Sequence, residues 1–222
     1  VRQLVKSFLL KGDENMQASL TTTAFLAAVF IGLAISVTSA QTDPELEKAI
    51  NYFDAVYNAD CRLYSETVGL FDEKDQQNPL RFQMSYKNKY DDEMAPEITQ
   101  VFYQFFCDAG AYNQRFVYFE STQNGFLPIA FASPYLDVSY TDENEVKVSE
   151  INAAGFVSYF SLTNPEINID KKTIIATVYW RGIGDTYEQL TFVHDQGQFV
   201  LKRFEVDATY DEVSSPQLVV YY

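Results

Sequence analysis

The chain reads as a mainly β, α+β domain: an antiparallel sheet, strongly curved or folded into a sandwich, with one N-terminal amphipathic helix packed on it. Three observations predict this. From Thr99 onward, runs rich in aromatic and β-branched residues alternate with turn residues. The connections between those runs are short, which favours antiparallel pairing because parallel strands need long crossovers. Ahead of them, Leu46, Ile50, Phe53 and Tyr57 recur at helical spacing.

The helix starts at Thr42-Asp43-Pro44-Glu45, which has the form of a capping box with Pro at an early helical position. Its stripe Leu46, Ile50, Phe53 and Tyr57 is expected to pack on the sheet, and it should end between Asn58 and Cys61. Residues 72–79 and 90–97 are polar loops; between them Leu80, Phe82 and Met84 alternate with polar residues as a short strand would. Strands are then expected over Gln100–Cys107, Arg115–Ser121, Glu145–Ile151, Gly155–Leu162, Thr173–Trp180, Glu188–Val193 and Phe199–Val206, with a terminal strand at Gln217–Tyr222. Asn124-Gly125, Asn164-Pro165, Asp170-Lys171-Lys172 and Asp195-Gln196-Gly197 supply turns, the last closing a hairpin. The 16 Tyr and 18 Phe residues suit the core of such a sheet; the alternative is an exposed aromatic platform.

Residues 1–40 are expected to be a secretory signal peptide, leaving 41–222 as a single exported domain. Ala24 to Val37 is almost wholly apolar but short for a bilayer span, and Thr38 and Ala40 are the small residues that a signal peptidase requires before Gln41. Met16 offers a start that would make residues 1–15 an over-extended reading frame. A single-pass anchor is the rival; the run is short and no basic stop-transfer residues follow it. The expected location is therefore periplasmic or secreted, with no membrane association once the leader is removed.

The net formal charge is −15. Residues 1–40 are close to charge-balanced, so the acidity belongs to the body. Such a surface repels nucleic acid and anionic lipid and attracts cationic partners. The chain has two cysteines, Cys61 and Cys107, and an oxidising compartment favours pairing them. Closing a loop of that length is worth roughly 4 kcal/mol in the loop-entropy model. Their spacing with the single histidine fits no zinc motif, and neither a metal nor a cofactor is implied.

Two segments stand above the background. In Cys107-Asp108-Ala109-Gly110-Ala111-Tyr112-Asn113, Gly110 permits a sharp turn and Asn113 can bond to backbone. In Arg181-Gly182-Ile183-Gly184-Asp185, two glycines let the chain double back so that Arg181 and Asp185 can pair. Tyr112, Asn113, Arg181 and Asp185 are the tentative ligand-binding residues, converging at one end of the sheet; the alternative is that they only fix turns.

With Pro128 to Pro134, Leu162-Thr163-Asn164-Pro165 and a hairpin from Phe192 to Leu201, these segments resemble an uncharacterised family of exported proteobacterial proteins, domain of unknown function family 1176. The resemblance covers residues 101–206. It implies an exported β domain and no particular chemistry. The chain departs from the family pattern at Thr186, where the family has Cys, and in lacking a partner Cys near the C-terminus, so the turn at Asp185 must be held by other means.

Catalytic constellations are sparse. His194 is the only histidine, sits beside a turn and is expected to be exposed there; no Gly-x-Ser-x-Gly elbow accompanies it. Carboxylates cluster at Asp91-Asp92-Glu93 and Asp142-Glu143-Asn144-Glu145, which in so acidic a chain says little about glycosidase chemistry or calcium. The expectation is a non-catalytic acidic binding domain of unknown ligand, one form of which is an inhibitor of a cationic hydrolase such as lysozyme. The alternative is a carboxylate-dependent hydrolase acting on envelope sugar or peptide.

Overall fold

A computed structural model describes residues 43–57, 59–61 and 79–222, all within the compact unit Thr42–Tyr222. The expected leader over 1–40, Thr42 of the expected capping box, and residues 72–78 of the expected polar loop lie outside the described residues. Among the described residues the fold is mainly β, with antiparallel sheets and one helix.

Helix α1 spans Pro44–Tyr57. Asp43 caps it: its Oδ1 accepts the Glu45 amide at 3.0 Å while its carbonyl accepts from Leu46 and Glu47, and Pro44 occupies the first helical position. The buried stripe is Ala49, Phe53 and Tyr57, flanked by Leu46 and Tyr52, while Ile50 is exposed. The expected face is thus rotated: Ala49 rather than Ile50 fits under the helix, because a small side chain lets it approach the sheet.

The first sheet has the order β1 (Leu80–Tyr86), β2 (Ile98–Ala109), β3 (Gln114–Thr122) and β4 (Gly125–Pro128). Four strands follow: the long β5 (Phe131–Tyr140) and β6 (Val148–Tyr159) form a hairpin of their own, the short β7 (Ser161–Thr163) pairs with the start of β3, and the short β8 (Pro165–Asn168) joins the second sheet. That second sheet runs β12 (Gln217–Tyr221), β11 (Gln198–Asp207), β10 (Tyr187–Asp195), β9 (Thr173–Tyr179), β8. Every pairing is antiparallel. The two strands expected over Glu145–Ile151 and Gly155–Leu162 are instead one long β6 followed by β7.

Both faces of the first sheet are buried, which explains why β2 and β3 read as nearly continuous apolar runs. Tyr103, Phe105, Cys107, Val117 and Phe119 pack against α1, where Phe53 stacks on Phe105 at 4.6 Å between centroids. The Cys61–Cys107 disulfide fastens the end of the helical segment to β2, and a disulfide is compatible with an oxidising, exported location. On the opposite face, Phe82, Phe102 and Tyr118 share a second core with Ile174, Leu190, Phe192 and Phe204 of the second sheet. Gln196 and Gly197, both at positive φ, close the β10–β11 hairpin as expected. A Cβ on Gly197 would also stand 2.9 Å from the Tyr86 ring.

Candidate functional site

The two motif segments meet. After β2, the Gly110 amide bonds to the Asn113 carbonyl at 2.7 Å and closes the turn. The Asn113 side chain then pairs with the backbone of Tyr179 in both directions: Nδ2 donates to the Tyr179 carbonyl at 2.8 Å, and Oδ1 accepts the Tyr179 amide at 3.0 Å. Asn164, at φ 42°, extends the stitch. Its Oδ1 accepts the Gln114 amide at 2.9 Å, and its Nδ2 reaches Asn113 Oδ1 at 2.9 Å and the Thr177 carbonyl at 3.0 Å. The Tyr112 ring lies against Gly182, where an added Cβ would come within 3.1 Å of it. Both sheets are therefore joined here by asparagine side chains standing in for missing backbone partners.

Arg181 and Asp185 clasp one another. Arg181 Nε donates to Asp185 Oδ1 at 2.8 Å, and its second arm donates to Oδ2. Asp185 Oδ2 also accepts the Glu212 amide at 2.9 Å, and the Arg181 guanidinium lies 5.1 Å from the centre of the Tyr210 ring. The hydrogen bond from Arg181 holds the Asp185 carboxyl well below the usual carboxylate range, with the Glu212 amide acting in the same direction against burial. Thr186 is fully buried and donates to the Thr209 carbonyl at 2.7 Å. The turn at Asp185 is held by these hydrogen bonds to residues 209–212. All four tentative site residues thus lie at one end of the sheets, with the polar groups of Asn113, Arg181 and Asp185 engaged by protein partners.

The stitch frames something the motifs do not contain. Trp180 sits between Tyr179, held by Asn113, and Arg181, held by Asp185, and its amide bonds to the Thr186 carbonyl at 3.0 Å. Its side chain lines a cavity of about 500 Å³ beneath the β5–β6 hairpin. Phe131, Leu162 and Phe192, all buried, line its inner part. Small residues withhold volume along the walls: Ala176 and Val178 of β9, Ser133 of β5, and Ser161 and Thr163 of β7. Tyr135 and Tyr159, at 61% and 53% exposure, also line it and mark its solvent side.

Two charged side chains reach this cavity. Arg115 is clasped by Asp108 through both arms of its guanidinium. Glu188 lies on the inward face of β10 with Leu190 and Phe192, opposite Val178 of β9. No hydrogen bond or ion pair reaches its carboxylate among the described residues, and burial pushes its pKa up. Glu188 is the site residue that motif reasoning missed. Its trace in the sequence is parity: an acid at the position where Leu190, Phe192 and His194 continue the same face.

His194 corrects an expectation. It is 3% exposed rather than a surface turn residue. Nε2 pairs with Gln100 Oε1 at 2.7 Å, and Gln100 Nε2 donates onward to Glu120 at 2.9 Å. Nδ1 has no partner among the described residues, and burial lowers the ring's pKa, with Lys172 adding to that effect. The carboxylate clusters are turn-forming: Asp91 accepts from Asn88, Asp92 from the Met94 amide, and Asp142 from the Lys147 amide at 2.8 Å. Among the described residues, no group of three or more His, Cys, Asp or Glu is placed to hold a metal ion, and no helix is long and apolar enough to cross a membrane.

Comparison with protein-family models, with curated proteins and with solved structures finds no match for this chain.

Proposed function

We propose that this chain is a non-catalytic, exported, acidic binding domain, and that its ligand site is the cavity beneath the β5–β6 hairpin. The observation that carries the proposal is the cavity itself: about 500 Å³, walled by apolar side chains interspersed with hydroxyls, open to solvent, with one unpaired carboxylate in its wall. Pockets that hold small ligands have this size and this mixture of apolar lining and few polar groups. The motif residues Tyr112, Asn113, Arg181 and Asp185 serve it indirectly by fixing Trp180 at its wall. A curved sandwich, with the two larger sheets enclosing the shared core, is the architecture that accommodates such a cavity.

Export, to the periplasm or the exterior, belongs to the same proposal; the disulfide and the acidic body support it. Membership of the uncharacterised family 1176 is part of the same proposal, supported by the resemblance of the two motifs and their order. Inhibition of a cationic hydrolase such as lysozyme is the protein-partner form, supported by the net charge of −15. A glycosidase-type hydrolase needs two carboxylates facing one bond, and the cavity lining contains a single acid.

Thermal-shift measurement with a panel of small amphiphiles tests the cavity. Binding raises the Tm of the native chain by mass action. Ala176→Leu, which fills the wall, should abolish the shift while the protein stays folded. A panel that leaves Tm unmoved, or shifts both proteins equally, removes the cavity as the site; loss of lysozyme activity on mixing would then carry the protein-partner form.

A further inference from the structure

We propose that the cavity selects a protonated amine carried on an apolar body, with the ammonium group paired to the Glu188 carboxylate. This rests on the cavity being the ligand site and goes on to name the class of ligand. The lining is apolar apart from hydroxyls and two charged residues, and only one charge is free to recruit a ligand. Arg115 is spent on Asp108. Glu188 is oriented inward by strand parity and meets no donor among the described residues.

A carboxylate in an apolar wall without a partner is costly, and a ligand that brings the missing cation recovers that cost on binding. An anionic amphiphile would face Glu188 and the field of a chain with net charge −15. A neutral one would fill the volume and leave the acid unpaired. Trp180, on the same face as Val178 and lining the same cavity, offers an aromatic surface that also favours a cation. The raised pKa of Glu188 is the ligand-free signature of the same unpaired state.

Trp180 is the only tryptophan in the chain, so its fluorescence reports directly on occupancy. The native protein is titrated with decylamine, decanol and decanoate, each below its aggregation concentration. Decylamine should bind tightest and decanoate weakest. Glu188→Gln should weaken decylamine by about tenfold or more, the usual worth of a charge-assisted contact, and leave decanol unchanged. Retained decanol binding shows that the variant's cavity is intact; if that variant fails to fold, Glu188→Asp should weaken decylamine selectively in its place. Equal affinities for decylamine and decanol, or a variant that binds decylamine as the native protein does, overturn the amine class while leaving the cavity as a binding site. No spectral response to any of the three overturns both.

Discussion

The inward face of β10 has two ends, and they are built differently. At one end His194 is enclosed by rings, with Phe199, Phe102 and Tyr86 at 5.3, 5.5 and 5.7 Å between centroids. Its Nε2 is tied through Gln100 to Glu120. At the other end Glu188 lies opposite Val178, and the volume between them and the β5–β6 hairpin stays open. Both ends carry a titratable group on the same strand with the same alternation, His194 buried and Glu188 half-buried. One group is enclosed and partnered at Nε2, and the other waits in a solvent-reaching cavity. Under the proposed function, the place for a ligand is where side-chain volume is withheld, not where polar motifs accumulate.

Truncation should separate the ends most sharply. Phe102→Ala removes a ring that touches Phe82, His194 and Phe199 in a filled region, and should cost about 3–5 kcal/mol. Val178→Ala removes methyl groups that already border open space, and should cost under about 1 kcal/mol. Urea unfolding midpoints at constant slope measure both. Comparable losses at the two sites would mean that the cavity is closed in solution.

The two titratable groups should tilt stability in opposite directions with pH. Burial lowers the pKa of His194 below its ordinary 6.5, so the unfolded chain binds a proton that the fold refuses. Stability from the neutral ring is full above about 6.5 and falls as pH drops below it. Burial raises the pKa of Glu188 above its ordinary 4.5, so here the fold keeps a proton that the unfolded chain releases. That contribution is full below about 4.5 and is lost as pH rises through the elevated value. Tm measured against pH should lose its acid-side slope near neutrality in His194→Phe, and should rise on the alkaline side in Glu188→Leu. A native-like profile in either variant would show that the corresponding group titrates as if exposed.

The filled parts of the molecule were legible from sequence, and the open part was not. β2, β3, β9, β10 and β11 follow alternating or continuous apolar runs bounded by turns such as Gln196-Gly197, and each lies within a few residues of its expected range. β5 carries no such pattern. Pro134 stands inside it, and its inward side changes parity from Phe131 to Pro134, Leu136 and Val138. No strand is expected there from the sequence, and with it goes the roof of the cavity. In the helix stripe Leu46, Phe53 and Tyr57 fall as expected and only Ile50 is displaced, because Ala49 looks neutral in a pattern but is the residue small enough for close approach. The joint at Tyr112, Asn113, Arg181 and Asp185 was visible because glycines and asparagines at strand ends mark backbone that needs help. A cavity made of Ala176, Ser133, Ser161 and Thr163, drawn from three strands, leaves no local mark beyond the inward parity of Glu188.

The smallest effect lies on the boundary between the two ends. Tyr118 points from β3 into the shared core, edge-on to Phe131 at 5.3 Å, and Phe131 also lines the cavity. Its hydroxyl is buried and has no partner among the described residues. A buried polar atom without a partner costs more than it returns, so removing it should not harm the fold. Tyr118→Phe keeps the ring contact and should leave stability unchanged or raise it by up to about 1 kcal/mol, read from the urea midpoint. A measurable loss would mean that the hydroxyl is satisfied by water reaching inward from the cavity. The open end would then extend past Phe131 into the core, and Val178→Ala would no longer sample its deepest point.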